Sequence, residues 1–207
     1  MRIMRKYLAT AIAAIMLSGA AHAATVTKLA DAPAAWAGLA ATSTVLPVGA
    51  GWVGTPPATR QGNLAGIYRS PFEPTGGTTL ADWATVAYFA VGPGNDTTSA
   101  TLGFDRKQTS MTFLWGSPDT YNSIKFFDGV DLQFTLLTSA IVPATGLGAS
   151  LVKISDLLFD SVAFHSTSNA LEFSNVTTTP VPLPAAAWML LSGLAGLGVL
   201  SRRKSAA

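Results

Sequence analysis

Cysteine is the most informative absence in this chain of 207 residues. Without cysteine there is no disulfide framework, no thiolate zinc site and no thiol nucleophile. Histidine is almost as scarce, because His22 and His165 are the whole set. Metal sites built from several imidazoles are therefore excluded. A lone His165 in an alternating segment is typical of an ordinary strand residue, so we assign no catalytic residue and expect no enzyme.

Charged residues are also few, at 12% of the chain, and they are unevenly placed. Six of the thirteen basic residues lie at the two extremes of the chain: Arg2, Arg5, Lys6, Arg202, Arg203 and Lys204. The part between carries seven basic and all eleven acidic residues, a net charge of −4. An acidic body lacks the basic surface that nucleic-acid binding requires, so no nucleic acid is expected as a partner.

The sequence contains no nucleotide-binding or nucleophile motif in a setting where that motif could function. The letters of Gly49–Gly54 fit G-x-G-x-x-G, but that motif binds phosphate only where a helix opens directly after it. Here Thr55-Pro56-Pro57 follows and would prevent such a helix. There is no Walker lysine motif and no G-x-S-x-G elbow. The sequence predicts no organic cofactor.

The N-terminus, residues 1–23, has the three parts of a secretory signal peptide. Basic residues precede an apolar run from Leu8 to Leu17, and Ala21-His22-Ala23 places small residues where signal peptidase needs them. We predict cleavage between Ala23 and Ala24. The alternative is an uncleaved anchor, for which the apolar run is shorter than the roughly 20 residues of a membrane span.

The C-terminal region, residues 180–207, predicts a membrane segment. Residues 183–200 carry no charge, and as a helix they would reach roughly 27 Å, close to the thickness of a bilayer core. The basic cluster Arg202-Arg203-Lys204 should remain in the cytoplasm, as should the basic start of the signal peptide. The body is therefore expected on the far side of the membrane. A permanent anchor and a removable sorting tail both satisfy these constraints.

A family resemblance separates those two alternatives. The tail combines an Ala- and Gly-rich apolar stretch bearing Trp188, the terminal basic cluster, and a short motif formed by Val181, Pro182, Leu183, Pro184 and Ala185. It resembles the PEP-CTERM sorting signal in its VPLPA variant, although Leu183 stands where the family usually has Glu. The resemblance implies a Gram-negative producer of exopolysaccharide or biofilm matrix and an exosortase that cuts near residues 181–185. The terminal basic cluster argues against the rival GPI signal.

The body is predicted to be all-β. Residues 24–79 are rich in Ala, Gly, Pro and Thr and show little periodicity, with short strands expected near residues 51–53 and 67–69. Residues 80–179 alternate with period two between turn signals and predict an antiparallel β-sandwich of jelly-roll type. The predicted strands are Thr85–Val91, Ala100–Phe104, Met111–Trp115, Ile124–Phe127, Asp131–Leu137, Leu151–Ile154, Val162–Ser166 and Ala170–Phe173.

Parts of this body resemble those of many proteins that carry such tails. The resemblance lies in residues 113–124, Phe164-His165-Ser166 and Asn169–Phe173, and extends over about residues 99–176. It implies a β-sandwich surface domain and no particular reaction. Met111, Phe113 and Trp115 are expected to share one buried face.

Two kinds of binding site have candidate residues. Trp115, Asp119, Tyr121 and Asn122 offer the aromatic faces and fixed polar groups used in glycan recognition, but the same residues could build a structural corner. Asn95-Asp96 and the turn from Asp128 to Asp131 could supply oxygen ligands to a structural Ca²⁺, or could serve turn geometry alone.

The sequence therefore favours an exported structural or interaction protein of the cell envelope or extracellular matrix. Its processing partners would be signal peptidase and an exosortase. The precursor would be tethered to the inner membrane, and exopolysaccharide would be a further partner. The alternatives are a glycan-binding module at the cell surface and, third, a hydrolase.

Overall fold

The computed structural model describes residues 23–31, 35, 39, 43–74, 82–141, 148–182 and 189. The described residues are mostly antiparallel β-sheet, with short 3-10 helices at Trp83–Thr85 and Thr138–Ala140. The strands are β1 Thr25–Asp31, β2 Ala50–Val53, β3 Ala58–Arg60, β4 Tyr88–Val91, β5 Ser99–Gly116, β6 Asn122–Asp128, β7 Asp131–Leu137, β8 Ser150–Ser155, β9 Phe159–Ser166 and β10 Leu171–Pro180. The all-β prediction is confirmed.

Strand β5 organises the sheet because it is 18 residues long and changes partners along its length. Its first half pairs with β2 and β9, and its second half pairs with β8 and β10. One continuous path of hydrogen-bonded neighbours runs β3-β4-β10-β5-β9-β6-β7, and β1 joins through β8. The register between β5 and β9 shifts between Gly103 and Gln108, which marks the point where the partners change.

The main core lies on one face of β5. Met111, Phe113 and Trp115 are fully buried there, as their alternation predicted, together with Val162 and Phe164 of β9. Aromatic rings fill much of this core, and the Phe164 and Phe173 rings stack with their centroids 3.9 Å apart. Burial of such rings supplies much of the apolar contact that holds a cysteine-free domain together.

The opposite face of β5 is also covered. Leu114 is fully buried in a second cluster with Phe72, Tyr88 and Ala90, against which Tyr68 packs. The segment that precedes β4 along the chain therefore lies over the outer face of the sheet. It forms one wall of the cleft described below.

Several strands differ from the sequence prediction. The expected strand near residues 67–69 is a turn closed by reciprocal hydrogen bonds between Leu64 and Tyr68, with Gly66 at φ +74°. The two strands expected at Ala100–Phe104 and Met111–Trp115 are one, because the backbone stays extended through the charged residues between them. Strands β1 and β3 were not predicted, and β10 extends past its predicted end to Pro180.

Candidate functional site

A polar cleft lies where β10 begins and has a volume of about 430 Å³. Three segments line it: residues 63–69 with Glu73, the turn bearing Ser117, Asp119 and Tyr121, and Asn169 to Glu172. We call this space the Glu172 cleft. Its size falls within the range of sites that hold small molecules.

Glu172 is placed by strand pairing. It lies opposite Ala90 of β4 and Gly116 of β5. A Cβ on Gly116 would lie 2.8 Å from the Pro71 side chain and 3.2 Å from Glu172 Cβ. The glycine therefore allows the loop around Pro71 to close over Glu172.

Glu172 has an unusual environment for a carboxyl group, since 2% of its surface is exposed. The backbone N–H of Arg69 donates to its Oε1 at 2.8 Å. Its Oε2 is buried and has no hydrogen-bond partner among the described residues. Burial raises the pKa of Glu172 to about 8, the charge of Asp119 adds to the rise, and the Arg69 N–H opposes it. Near neutral pH the carboxyl is therefore mostly protonated.

Tyr121 joins two walls of the cleft. Its hydroxyl lies 2.7 Å from Asp119 Oδ2 and 2.9 Å from the carbonyl oxygen of Asn169. Burial and the bond to Asp119 raise the pKa of Tyr121 above its usual value, so it stays a neutral phenol. A phenol has one proton, so it serves one of these two acceptors at a time.

The outer wall is held in place by polar contacts. The Arg69 side chain pairs with Glu73 at the rim. Asn63 Oδ1 accepts from the Ser70 backbone N–H at 2.8 Å, and Tyr88 donates its hydroxyl proton to the Gly62 carbonyl at 2.6 Å. Burial raises the pKa of Tyr88 above its usual value, with the Glu172 charge adding to the rise. These bonds fix the loop that covers Glu172.

The four residues predicted to contact a glycan do not all lie together. Asp119 and Tyr121 line the Glu172 cleft. Trp115 is fully buried in the main core, beside Phe113. Asn122 is 1% exposed, with its Oδ1 accepting from Ser166 and its Nδ2 donating to the Ala170 carbonyl. Trp115 and Asn122 are therefore buried away from the cleft, whereas Asp119 and Tyr121 face it.

Glu172 was not predicted as a site residue, although the sequence contained a signal for it. It stands between Leu171 and Phe173 inside the predicted strand Ala170–Phe173, and both neighbours are fully buried. A carboxylate within such an apolar strand is uncommon, because burial of an unpaired charge is costly. Arg69 and Asn169 had no comparable signal, since loop folding alone brings them to the cleft.

The residues considered for Ca²⁺ make other contacts. Arg60 donates to Asn95 Oδ1 at 3.1 Å and to Asp96 Oδ1 at 3.4 Å. Lys107 pairs with Asp128 at 2.7 Å. Within the part of the chain that the structure describes, no group of three or more His, Cys, Asp or Glu side chains could hold a metal ion. The structure thus gives the Ca²⁺ hypothesis no assembled ligand set in those ranges.

The processing sites lie at the borders of the described chain. Ala23 is exposed, Ala24 packs against the main core, and β1 follows at Thr25. At the other end Val181 donates its N–H to the Lys107 carbonyl at 2.9 Å, and Val181 and Pro182 are both exposed. The remaining predicted processing positions, Ala21, Leu183, Pro184, Ala185, Arg202, Arg203 and Lys204, lie outside the described residues.

The predicted membrane segment, residues 183–200, is likewise not described except for Met189. Across the described ranges, which end at residue 182 apart from that position, no helix is both long and apolar enough to cross a membrane.

Comparison of the chain with protein-family models, with curated proteins and with solved structures finds no match.

Proposed function

We propose that this protein is exported, sorted through its C-terminal tail and released as a structural or interaction protein of the cell envelope or extracellular matrix. The observation that carries the proposal is the position of the VPLPA motif. The last strand, β10, ends at Pro180, and the exposed Val181 and Pro182 follow at once. A protease could therefore reach the first two residues of the motif, Val181 and Pro182, at the end of the sheet.

The order of events follows from the tail resemblance. Signal peptidase removes residues 1–23, the apolar segment holds the precursor in the inner membrane, and an exosortase cuts near residues 181–185. The domain then passes to the outer envelope or the extracellular matrix of a Gram-negative cell. There it lies among exopolysaccharide, which is its proposed partner. No catalytic step is assigned to the domain.

We also propose that the domain is a two-layer, jelly-roll-like β-sandwich. The change of partners along β5 supports this arrangement, because one strand can belong to two layers only where it bends or its register shifts. The stacking of Phe164 on Phe173 supports it too, because these rings come from β9 and β10, which pair with different halves of β5.

The sorting proposal is tested by genetics combined with cell fractionation. In a strain that lacks the exosortase, the protein should stay membrane-bound at the size of the precursor. Joint replacement of Pro182 and Pro184 by alanine should have the same effect with the enzyme present. Pro93→Ala is the matched control, because Pro93 is exposed in a turn far along the chain from the motif. Normal release of the wild-type protein from the strain without the exosortase, together with normal release of the Pro182 and Pro184 variant, would contradict the proposal.

A glycan-binding module is the second candidate function. The Glu172 cleft favours it, since Asp119 and Tyr121 of the predicted glycan site lie there with further polar groups. A hydrolase is the third. Three carboxyl groups, Glu73, Asp119 and Glu172, line the cleft, so release of reducing sugar from polysaccharide would reassign the domain to that class.

A further inference from the structure

The Glu172 cleft contains polar groups whose hydrogen bonding its own residues do not complete. Asp119 Oδ2 and the Asn169 carbonyl oxygen share the single proton of Tyr121. Glu172 Oε2 is buried without any partner among the described residues, in a side chain that is 2% exposed. An unsatisfied buried polar group is costly, so a ligand that completes these bonds would be stabilised.

The charge of the cleft argues against an anionic ligand. The ionisable groups around Glu172 are Tyr68, Arg69 and Glu73 of the loop, Tyr88 of β4, and Asp119 and Tyr121 of the turn, and Arg60 lies over the Tyr68 ring. Both basic side chains have an acidic partner, since Arg69 is paired with Glu73 and Arg60 with Asp96. Asp119 is left to set the sign of the field, which repels a carboxylate or phosphate.

A neutral hydroxyl fits the remaining polar groups better than a cation does. Because the pKa of Glu172 is raised to about 8, its carboxyl is mostly a donor near neutral pH, while Asp119 Oδ2 already accepts from Tyr121. A hydroxyl group accepts and donates at the same time, so adjacent hydroxyls can bond to both side chains. A cation would first have to displace the proton of Glu172.

The outer wall supplies apolar surface opposite these groups. Leu64 is 50% exposed, and Ile67 and Tyr68 line the same cleft. A pyranose ring has an apolar C–H face beside its hydroxyls, which matches a wall of this kind. The volume of about 430 Å³ suits one or two sugar rings.

From this geometry we propose that the Glu172 cleft binds an uncharged sugar residue of a polysaccharide, with Asp119 accepting from a sugar hydroxyl and Glu172 Oε2 donating to a sugar oxygen. Because Oε2 is buried, the ligand reaches it only by displacing part of the loop that covers Glu172. This inference deepens the interaction role proposed above and rests on it for the supply of polysaccharide outside the cell.

The test uses the full-length chain in a detergent that contains no sugar, so that the detergent cannot compete. The probes are the methyl glycosides of glucose, galactose, mannose and N-acetylglucosamine, with glucuronic acid as the anionic counterpart and CaCl₂ as the cationic one. Ligand-observed NMR and calorimetry measure binding up to about 50 mM. A single sugar in an open site should bind with a Kd on the order of 1 mM.

Two substitutions locate the site. Asp119→Asn should weaken sugar binding by about tenfold or more, because it replaces the acceptor by a group that also donates. Asp131→Asn is the matched control on exposed strand β7 and should leave binding unchanged. Glu172→Gln keeps a donor in place at every pH. Wild-type affinity should fall above about pH 8, whereas the Gln variant should lose that dependence.

Each outcome decides the proposal. Binding of at least one neutral glycoside, weaker binding of glucuronic acid and the stated responses of the variants would support it. No binding by any of the four glycosides at about 50 mM would overturn it. Sugar binding that neither Asp119→Asn nor Glu172→Gln changes would show that the sugar binds outside the cleft. Ca²⁺ binding that strengthens as the pH rises would show that the cleft is a cation site. All of these readouts are independent of tail processing, so either proposal can fail alone.

Discussion

At the residue scale, Glu172 is the group whose state most affects the domain. The folded protein keeps this carboxyl protonated up to about pH 8, whereas the unfolded chain loses the proton near 4.5. Between these values the unfolded state binds fewer protons than the folded one. The free energy of unfolding therefore falls as the pH rises through this window, and it levels off above it.

The substitution Glu172→Gln should remove that loss of stability. The variant should be more stable than the wild-type protein at about pH 9, by up to a few kcal/mol, and the difference should shrink toward about pH 5. Urea unfolding at both pH values measures the effect. Asp128→Asn is the control, since it breaks a partly exposed pair with Lys107 and should cost no more than about 1 kcal/mol. A wild-type protein that gains stability between these pH values relative to the variant would contradict the assignment.

Trp115 and Tyr121 should behave differently when each is shortened. Trp115 is fully buried in the main core, so Trp115→Ala should lower the free energy of unfolding by about 3 to 5 kcal/mol. Tyr121→Phe should cost about 1 kcal/mol, because it removes one hydroxyl from the rim of the cleft. Chemical denaturation of both variants checks the contrast. Equal and small losses would mean that Trp115 is not a core residue.

At the element scale, strand β5 contributes residues to the main core and ends next to the Glu172 cleft. Gly116 at its end lies beneath Pro71 and Glu172, and Gly103 nearer its start has the Val53 side chain 2.9 Å from where a Cβ would be. These two glycines of one strand offer a matched pair. One faces a packed loop and the other faces the end of an exposed side chain.

We expect Gly116→Ala to lower the free energy of unfolding by about 1 to 3 kcal/mol and to distort the Glu172 cleft. Gly103→Ala should cost less, since Val53 is 62% exposed and its side chain can move aside. Thermal melts of both variants measure the difference. A larger loss for Gly103→Ala would show that the loop over Glu172 is not tightly packed.

Alternation predicted most of the strands after residue 80. Asp131–Leu137 was predicted with the bounds that β7 has, and β6, β8 and β9 each extend by one to three residues beyond their predicted ends. β1 was missed because it is largely exposed, and β3 because it is only three residues long. Most of the cleft was hidden from sequence reasoning, since three separate segments form it and a loop places Arg69 over Glu172.

At the scale of the whole molecule, the described sheet lies between the two proposed cleavage sites. Strand β1 begins at Thr25 and pairs with β8, so the predicted cleavage before Ala24 leaves the first strand intact. Strand β10 ends at Pro180, before the proposed second cut. Each proposed cut therefore falls next to the sheet and outside it.

The domain should fold without either end. Residues 24–182 should give a strand-type circular dichroism spectrum and a single cooperative thermal transition, because the described core draws on strands from β4 to β10 within this range. A mainly helical spectrum would contradict the fold, and the absence of a transition would show that the ends are needed for stability.

The intact mass of the protein recovered from the extracellular or outer-envelope fraction is the decisive measurement for the sorting proposal. We predict a chain that begins at Ala24 and ends within residues 181–185, so that the apolar segment and the basic cluster are both gone. A released protein that still carried Arg202 to Ala207 would contradict the sorting proposal and leave a permanently anchored envelope protein in its place.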